Sequence, residues 1–455
     1  MGRAWERLGP GDRNYLGLET ADTPMHIAAL ARLESALSVE SARARLELRT
    51  RGVRALRRRL HRPGPPFGPQ LWIDDGAFAI ERHVLEARIA APGGEREVLR
   101  AAEDLVTRRL DRSCPLWAVW FLTGLEGGRA AVLLKLHHAV ADGLAALGIL
   151  GALFDQSEGA EDPGTAPPDP RPAPGRGELL VDSGARKLAA CRRLAVAVSH
   201  PARVRDAPGT IRQEFAGARA SPVRTSLNGP VGPGRRLAVV RLGLEQARSV
   251  AHAHGATVND VILTLAAAGL RDVLRERGER VETLLASVAA TVRPAGEAGA
   301  LGNRVGALMV PLSVGDLAPA DHLDAVTAST RRPNEPSSGR PQRGSWSGSR
   351  IRGRPAPGSA TSTSSRCSRP TCPDRPPPCT CSGHRVLDLL PITALAGNIR
   401  FSFAALSYAG GLAITVCAAG AEGPDLEILR SGMERTWEAL RADHGATAGG
   451  TPGDR

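Results

Sequence analysis

Long apolar runs are missing from this chain: no stretch reaches about 18 consecutive uncharged apolar residues, which excludes a membrane-spanning helix. The opening "MGRAWERLGPGDRNYLG" has no apolar core of the secretory kind, so no export signal is expected. Cysteine is sparse, seven in 455 residues. That excludes a disulfide-stapled scaffold and points to free thiols in a reducing compartment. Aromatic residues make up only 3% of the chain, and there are only 11 histidines. The ordinary apolar content of 42% and charged content of 23% fit a soluble globular protein long enough for two or three lobes.

The net charge of +12 raises the question of a nucleic-acid partner. Its location argues against one. Residues 331–382 hold ten arginines against Glu335 and Asp374, a net of +8, which leaves about +4 for the other 403 residues. That segment also lacks Leu, Val, Phe, Tyr and Met, and has one Ile (Ile351), one Trp (Trp346) and ten prolines. It cannot bury enough apolar surface to offset the entropy of ordering, so disorder is expected. Without interleaved aromatics it is a poor nucleic-acid binder. Its cysteines, Cys367, Cys372, Cys379 and Cys381, are not spaced as paired zinc ligands, so no metal is expected.

The remaining chain divides by composition. Residues 1–154 read as a mixed α/β lobe, 155–178 as a Pro/Gly-rich linker, and 179–330 as the start of a second lobe. Residues 383–445 complete the second lobe, and 446–455 form a disordered tail. Apolar periodicity predicts helices over 41–60 and 96–110, the first with a very basic exposed face. "AVWFLTGLEGGRAAVLLKLHH" predicts two strands around the turn "EGG". "ARKLAACRRLAVAVSHPARV" (185–204) is basic and amphipathic, either a surface helix packed on the second lobe or a membrane-surface contact. "LEQARSVAHAHG" and "TVNDVILTLAAAGLRDVLRERG" predict helices ended by Gly255 and Gly278. "RRLAVVRLGL", "LLASVAATVRP", "ALMVPLSV" and "IRFSFAALSYAGGLAITVCAAG" predict strands, and "PDLEILRSGMERTWEALRAD" a last helix.

Two of the scarce histidines stand together in "LLKLHHAVADGLAALG", where an apolar strand ends and a helix begins. Such junctions commonly carry reactive groups. A neutral imidazole is suited to take a proton from a hydroxyl or amine attacking an acyl carbonyl, because its pKa lies near the working pH. No Gly-x-Ser-x-Gly elbow points to a serine hydrolase instead. Asp142 would face back toward the imidazole or pair with an arginine, and Gly143 leaves a channel unobstructed. A structural His pair beside an Asp-Gly turn is the plain alternative.

The motif has company. "LGPGDRNYLGLETADTPMHIAAL" (8–30), "LWIDDGAFAIERHV" (71–84), "LDRSCPLWAVWFLTGLEGGRAAVLLKLHHAVADG" (110–143), "LNGPVGPGRR" (227–236), "GATVNDVIL" (255–263), "SVAATVRP" (287–294) and "LGNRVGALMVPLSVGD" (301–316) follow in order. "LSYAGGLAITV" and "GPDLEIL" close the series. This ordered set, over roughly 1–330 and 383–440, resembles the bacterial wax ester synthase/diacylglycerol acyltransferase family. That family belongs to the HHxxxDG superfamily, with chloramphenicol acetyltransferase and nonribosomal-peptide condensation domains. The resemblance implies a two-lobed, CoA-dependent acyltransferase-like α/β fold, mixed sheets with flanking helices, and a tunnel between the lobes. It implies acyl-CoA as donor, diacylglycerol or a long-chain fatty alcohol as acceptor, and no metal or cofactor. It also implies a cytoplasmic enzyme, peripheral on the inner membrane face or on lipid droplets.

By the same resemblance His138 is the general base, His137 shapes the pocket, and Asp142 is a brace salt-bridged to Arg293. Asn259 and Asp260 either support the site or simply cap a helix. Pro115-Leu116-Trp117 is either structure or substrate contact. The nearest rival activities are a condensation-type transfer on carrier-bound substrates and a non-catalytic lipid-binding homologue.

The resemblance lapses at 332–382 and resumes abruptly at "GHRVLDLLPI". The codons of "TCPDRP" and "CTC", shifted by one base, can encode Asn-Leu-Pro-Gly-Pro and Leu-Tyr-Leu. We therefore expect 332–382 to be read out of frame between two compensating indels. Loss of a second-lobe strand there would open a sheet edge and impair activity.

Overall fold

Nearly every position in "WAVWFLT" and "AAVLLKLH" is apolar, so a sheet built from them must be covered on both faces. The computed structural model describes residues 5–154, 170–199, 224–291, 305–331, 359–364, 379–395, 397–420 and 423–448. The first lobe runs β1 (Trp5–Arg7), α1 (Pro10–Leu18), β2 (His26–Leu33), α2 (Val39–Arg51), β3 (Arg58–His61), β4 (Leu71–Asp74), β5 (Val84–Arg88), α3 (Glu95–Thr107), β6 (Trp117–Thr123), β7 (Ala130–His137), α4 (Gly143–Leu153) and α5 (Arg176–Ser199). Then follow β8 (Arg235–Gly243), α6 (Leu244–Ala253), α7 (Val258–Glu276), β9 (Thr283–Thr291), β10 (Val305–Ser313), α8 (Pro319–Arg331), β11 (Ser359–Ser364), β12 (Thr380–Cys381), β13 (His384–Ile392), β14 (Phe401–Tyr408), β15 (Gly411–Ala419) and α9 (Gly423–Ala448).

Two six-stranded mixed sheets result, in the orders β12-β13-β2-β7-β6-β5 and β10-β9-β11-β14-β15-β8, with a small β1-β4-β3 sheet beside the first. The period-2 alternation of a strand sorts β6 and β7 cleanly. Val132, Leu134 and Leu136, with Trp117, Val119 and Phe121, face a core that includes α2 and α4 residues. Ala131 and Leu133, with Ala118, Trp120 and Leu122, face α3 and strands β8 and β15 of the second lobe. Each fully buried leucine contributes roughly 1.5–3 kcal/mol. Polar contacts lock the same seam: Glu103 of α3 accepts from the Leu237 N–H at 2.8 Å and pairs with Arg236 at 3.1 Å. Arg241 bridges Glu95 and Asp388.

Several expectations need correction. The helix expected over 41–60 stops at Arg51; Gly52 caps it, a short 3-10 turn follows, and Arg58–His61 is a strand paired with β4. The linker expected over 155–178 ends earlier, because α5 begins at Arg176. Nor does α5 open the second lobe. Its Leu179 packs on Trp5, Leu71 and Ile73 of the small first-lobe sheet. Asp182 pairs with Arg7 at 3.0 Å, and Glu178 accepts from the Trp5 indole at 2.6 Å. The boundary at 383 also fails, since β13 pairs antiparallel with β2 and extends the first sheet. At the C-terminus α9 continues to Ala448, past the expected limit of 445.

The anomalous segment is the largest departure. Ser359–Ser364, inside the stretch expected to be disordered, forms β11 between β9 and β14, parallel to both. Thr380–Cys381 adds β12 at the edge of the first sheet. The expected open edge is therefore closed. The physical reason is that β9 and β14 present inward-facing N–H and C=O groups one strand apart, and these need partners. Any proline-free backbone supplies them, and the threonines of "SATSTS" favour extended structure. The rest of 332–378 lies outside the described residues.

Among the described residues no helix is long and apolar enough to cross a membrane. The described cysteines, Cys114, Cys191, Cys379, Cys381 and Cys417, are free thiols. No His/Cys/Asp/Glu group suited to a metal occurs among the described residues.

Candidate active site

His137 is the last residue of β7 and pairs in register with His26 of β2. Alternation puts its side chain on the same sheet face as Leu133 and Lys135, toward α3. His138 follows the strand end. Its own N–H donates to the Met25 carbonyl at 2.8 Å, and the Val140 N–H returns to the His137 carbonyl at 2.8 Å. The adjacent histidines thus part company. His137 is 1% exposed, while His138 is half-buried.

The His137 ring is hydrogen-bonded at Nδ1 and faces a carboxylate at Nε2. Nδ1 accepts from the Ala139 N–H at 2.9 Å, so the neutral ring carries its proton on Nε2. Nε2 lies 3.6 Å from Glu19 Oε1, and His26 Nε2 lies 3.5 Å from the same oxygen. Arg112 and Arg109 close on Glu19 Oε2. Burial would raise the Glu19 carboxyl, but the His137 and Arg112 hydrogen bonds and charges outweigh it and hold the group well below the usual range. Burial, with Lys135 nearby, pushes His26 down to about 3. Lys135 is itself buried, donates to the Leu105 carbonyl of α3 at 2.7 Å, and is pushed by burial to about 7.

His138 packs against α1. Its ring stacks on Tyr15 of α1, with centroids 3.9 Å apart and planes 9° from parallel. Burial and the nearby Asp142 charge raise the Tyr15 hydroxyl, keeping it protonated. Asp142 is fully buried and caps α4, accepting from the Ala145 N–H at 2.8 Å. Gly143, the first residue of α4, faces open space: a Cβ there would meet nothing within 4 Å. Among the described residues no packing requires glycine at this position.

The other expected site residues are placed as follows. Arg293 lies outside the described residues, and with it the expected Asp142–Arg293 pair. Asp260 is the third residue of α7 and forms a reciprocal cap with Thr257, accepting its N–H at 2.8 Å. Its second oxygen accepts from Thr330 of α8 at 2.8 Å, tying two helices together. These contacts give Asp260 the capping role, and Asn259 sits half-buried beside it. Leu116 and Trp117 are buried; the Trp117 indole donates to the Leu56 carbonyl at 2.8 Å and its ring stacks on His83. Sequence reasoning assigned no role to Tyr15, Glu19 or His26, although all three lie within the quoted N-terminal stretch.

A family model described as the wax ester synthase/diacylglycerol acyltransferase catalytic domain matches residues 8–262, a span that contains the histidine turn, Tyr15, Glu19 and Asp260. The chain belongs to this family. It is 31% identical over 424 residues to the probable diacylglycerol O-acyltransferase tgs1 of Mycobacterium tuberculosis, covering 90% of this chain and 89% of that protein. The wax ester synthase/diacylglycerol acyltransferase from Marinobacter aquaeolei VT8 shares the fold, with a TM-score of 0.65 at 19% identity over 96% of this chain and 100% of that one. So does the first condensation domain of the CDA synthetase, with a TM-score of 0.62 at 17% identity over 96% of each chain. The α/β, two-lobed acyltransferase architecture is thereby established, and the protein is an acyltransferase of this family.

Proposed function

We propose that the protein transfers a long-chain acyl group from acyl-CoA to the hydroxyl of diacylglycerol, a long-chain alcohol, or both, with His138 as general base. The observation that carries this reading is the division of labour in the histidine pair. His137 is buried, accepts a hydrogen bond at Nδ1 and faces Glu19 at Nε2, whereas His138 is only half-buried. A ring nitrogen of His138 takes the acceptor's O–H proton as the oxygen bonds to the thioester carbonyl carbon. The tetrahedral intermediate then collapses, the C–S bond breaks, and the imidazolium returns the proton to the departing thiolate. Ester and free CoA are the products, and the reaction so written calls for no metal or cofactor. General-base catalysis of this kind is worth typically 10²–10⁴-fold.

Donor and acceptor would meet in a tunnel between the lobes, entering from opposite sides. The lipid substrates place the enzyme at a cytoplasmic membrane face or lipid-droplet surface, which it would touch peripherally. Arginine-rich α2 and the exposed Arg186, Lys187 and Leu188 of α5 suit such contact with anionic headgroups.

The test is turnover of radiolabelled acyl-CoA with diacylglycerol, hexadecanol and a long-chain amine in parallel. Triacylglycerol or wax ester, lost in His138→Ala, is the expected result. Amide as sole product would move the protein to condensation-type chemistry. Equal turnover in wild type and His138→Ala, with lipid binding retained, would make it a lipid-binding homologue.

A further inference from the structure

The reaction proposed above uses neither Tyr15 nor Glu19, yet one helix delivers both to the histidine pair. They stand four residues apart, on one face of α1 and its C-terminal cap. Tyr15 stacks face to face on His138. Glu19 sits under His137, with its side chain 2% exposed. We propose that α1 is a clamp on the HHxxxDG turn, in which Tyr15 and Glu19 are positioning residues that fix the two imidazoles. The proposal rests on His138 being the base.

Three observations support the clamp. First, a stacked ring at 3.9 Å covers one face of the His138 imidazole and limits its rotation. Second, a buried carboxylate is costly unless paired. Glu19 is surrounded by His26, His137, Arg109 and Arg112. Its Oε1 faces the one His137 nitrogen that the Ala139 N–H leaves to carry the proton. Third, α1 is capped at both ends by its own residues. The Asp12 carboxylate accepts from the Gly9 N–H at 3.2 Å, and the Glu19 N–H donates to the Tyr15 carbonyl at 3.2 Å. Because Tyr15 and Glu19 belong to one helix and its cap, a shift of α1 would disturb both ring contacts at once. Misplacing a catalytic group by about 1 Å can cost on the order of a hundredfold in rate.

The experiment compares Tyr15→Phe, Tyr15→Leu and Glu19→Gln in the full chain, with and without His138→Ala, and confirms folding by thermal melting. Tyr15→Leu and Glu19→Gln are expected to lower kcat by about tenfold or more with the KM for acyl-CoA unchanged. Tyr15→Phe, which keeps the stack, should restore most of the turnover. In the His138→Ala background neither change should lower turnover further. A second readout needs no turnover: carbethoxylation of His138 by diethyl pyrocarbonate, followed by peptide mass spectrometry at fixed pH. Tyr15→Leu should speed it several-fold, and Tyr15→Phe should not. An unchanged modification rate in Tyr15→Leu, or equal kcat losses in the Phe and Leu variants, overturns the clamp. Full turnover in His138→Ala would instead overturn the base assignment, while the modification rates still decide the clamp.

Discussion

The two six-stranded sheets are built from opposite kinds of central strand. In the first, β2, β7 and β6 are apolar at almost every position and each face has its own core. In the second, the strand between β9 and β14 is "SATSTS", with no large apolar residue. The first sheet is specified by its side chains. The second holds its β11 position by main-chain pairing on both sides, in a slot that β9 and β14 define. An interior strand can thus be filled by a segment whose composition argues against any structure, provided its neighbours are fixed by their own packing. The histidine turn hangs from the sheet specified by side chains, which is why it is whole in a chain whose second lobe carries an anomalous stretch.

The comparison breaks most sharply at the turn itself. His138→Ala should lower turnover by about 10²–10⁴-fold with an unchanged melting temperature, measured by acyl-CoA assay and thermal melting. A large loss of stability would mean that the first sheet needs His138 for packing. Acid should act next most strongly, and on the first sheet. His26 has its pKa lowered from 6.5 to about 3, so the unfolded chain binds a proton that the folded one refuses. Its contribution is full above about pH 6.5 and is lost as pH falls toward 3, amounting to a few kcal/mol. The depressed Glu19 works in the same direction. Lys135, lowered from 10.5 to about 7, makes stability rise further between those values. Melting curves against pH should show this slope, flattened between pH 6.5 and 3 in His26→Asn.

In the second sheet, Ser362→Pro removes an N–H from a strand paired on both sides. It should cost about 1–3 kcal/mol, the usual penalty for an orphaned buried group. No change in denaturant midpoint would mean that β11 is absent in solution. The smallest effect belongs to Asp142→Ala, which removes the α4 cap at about 1 kcal/mol, or roughly 2–4 °C in melting temperature. Sequencing the coding DNA across codons 325–390 sharpens the same contrast. A shifted frame encoding apolar helices and a Pro-Gly-Pro strand is the expected result, and its absence would make "SATSTS" the native strand.

Much of the first lobe was legible. The β6–β7 hairpin, α3 and the strand-to-helix junction at His138 follow from apolar runs and a glycine turn, whereas the capping role of Asp142 does not. The helix over 41–60 was overdrawn because Arg58–His61 gains its extended form only by pairing with β4. Docking of α5 was misread because its partners, Trp5 and Arg7, are more than 170 residues away. The second-lobe boundary failed for a similar reason, since β13 finds its partner in β2. The Glu19–His26–His137 cluster had no local signature at all. Its members are ordinary residues until β2 and β7 come into register and α1 closes over their ends.

By itself, then, the sequence determined the family, the position of the histidine turn and the apolar strand that carries it. Those depend on residue type and on spacing within a few turns of chain. Tertiary structure alone decided which histidine is buried, what holds each ring, and that a Ser/Thr segment completes the second sheet. Those outcomes depend on alternation at a strand end, on a helix 120 residues upstream and on backbone groups that need partners whatever their side chains.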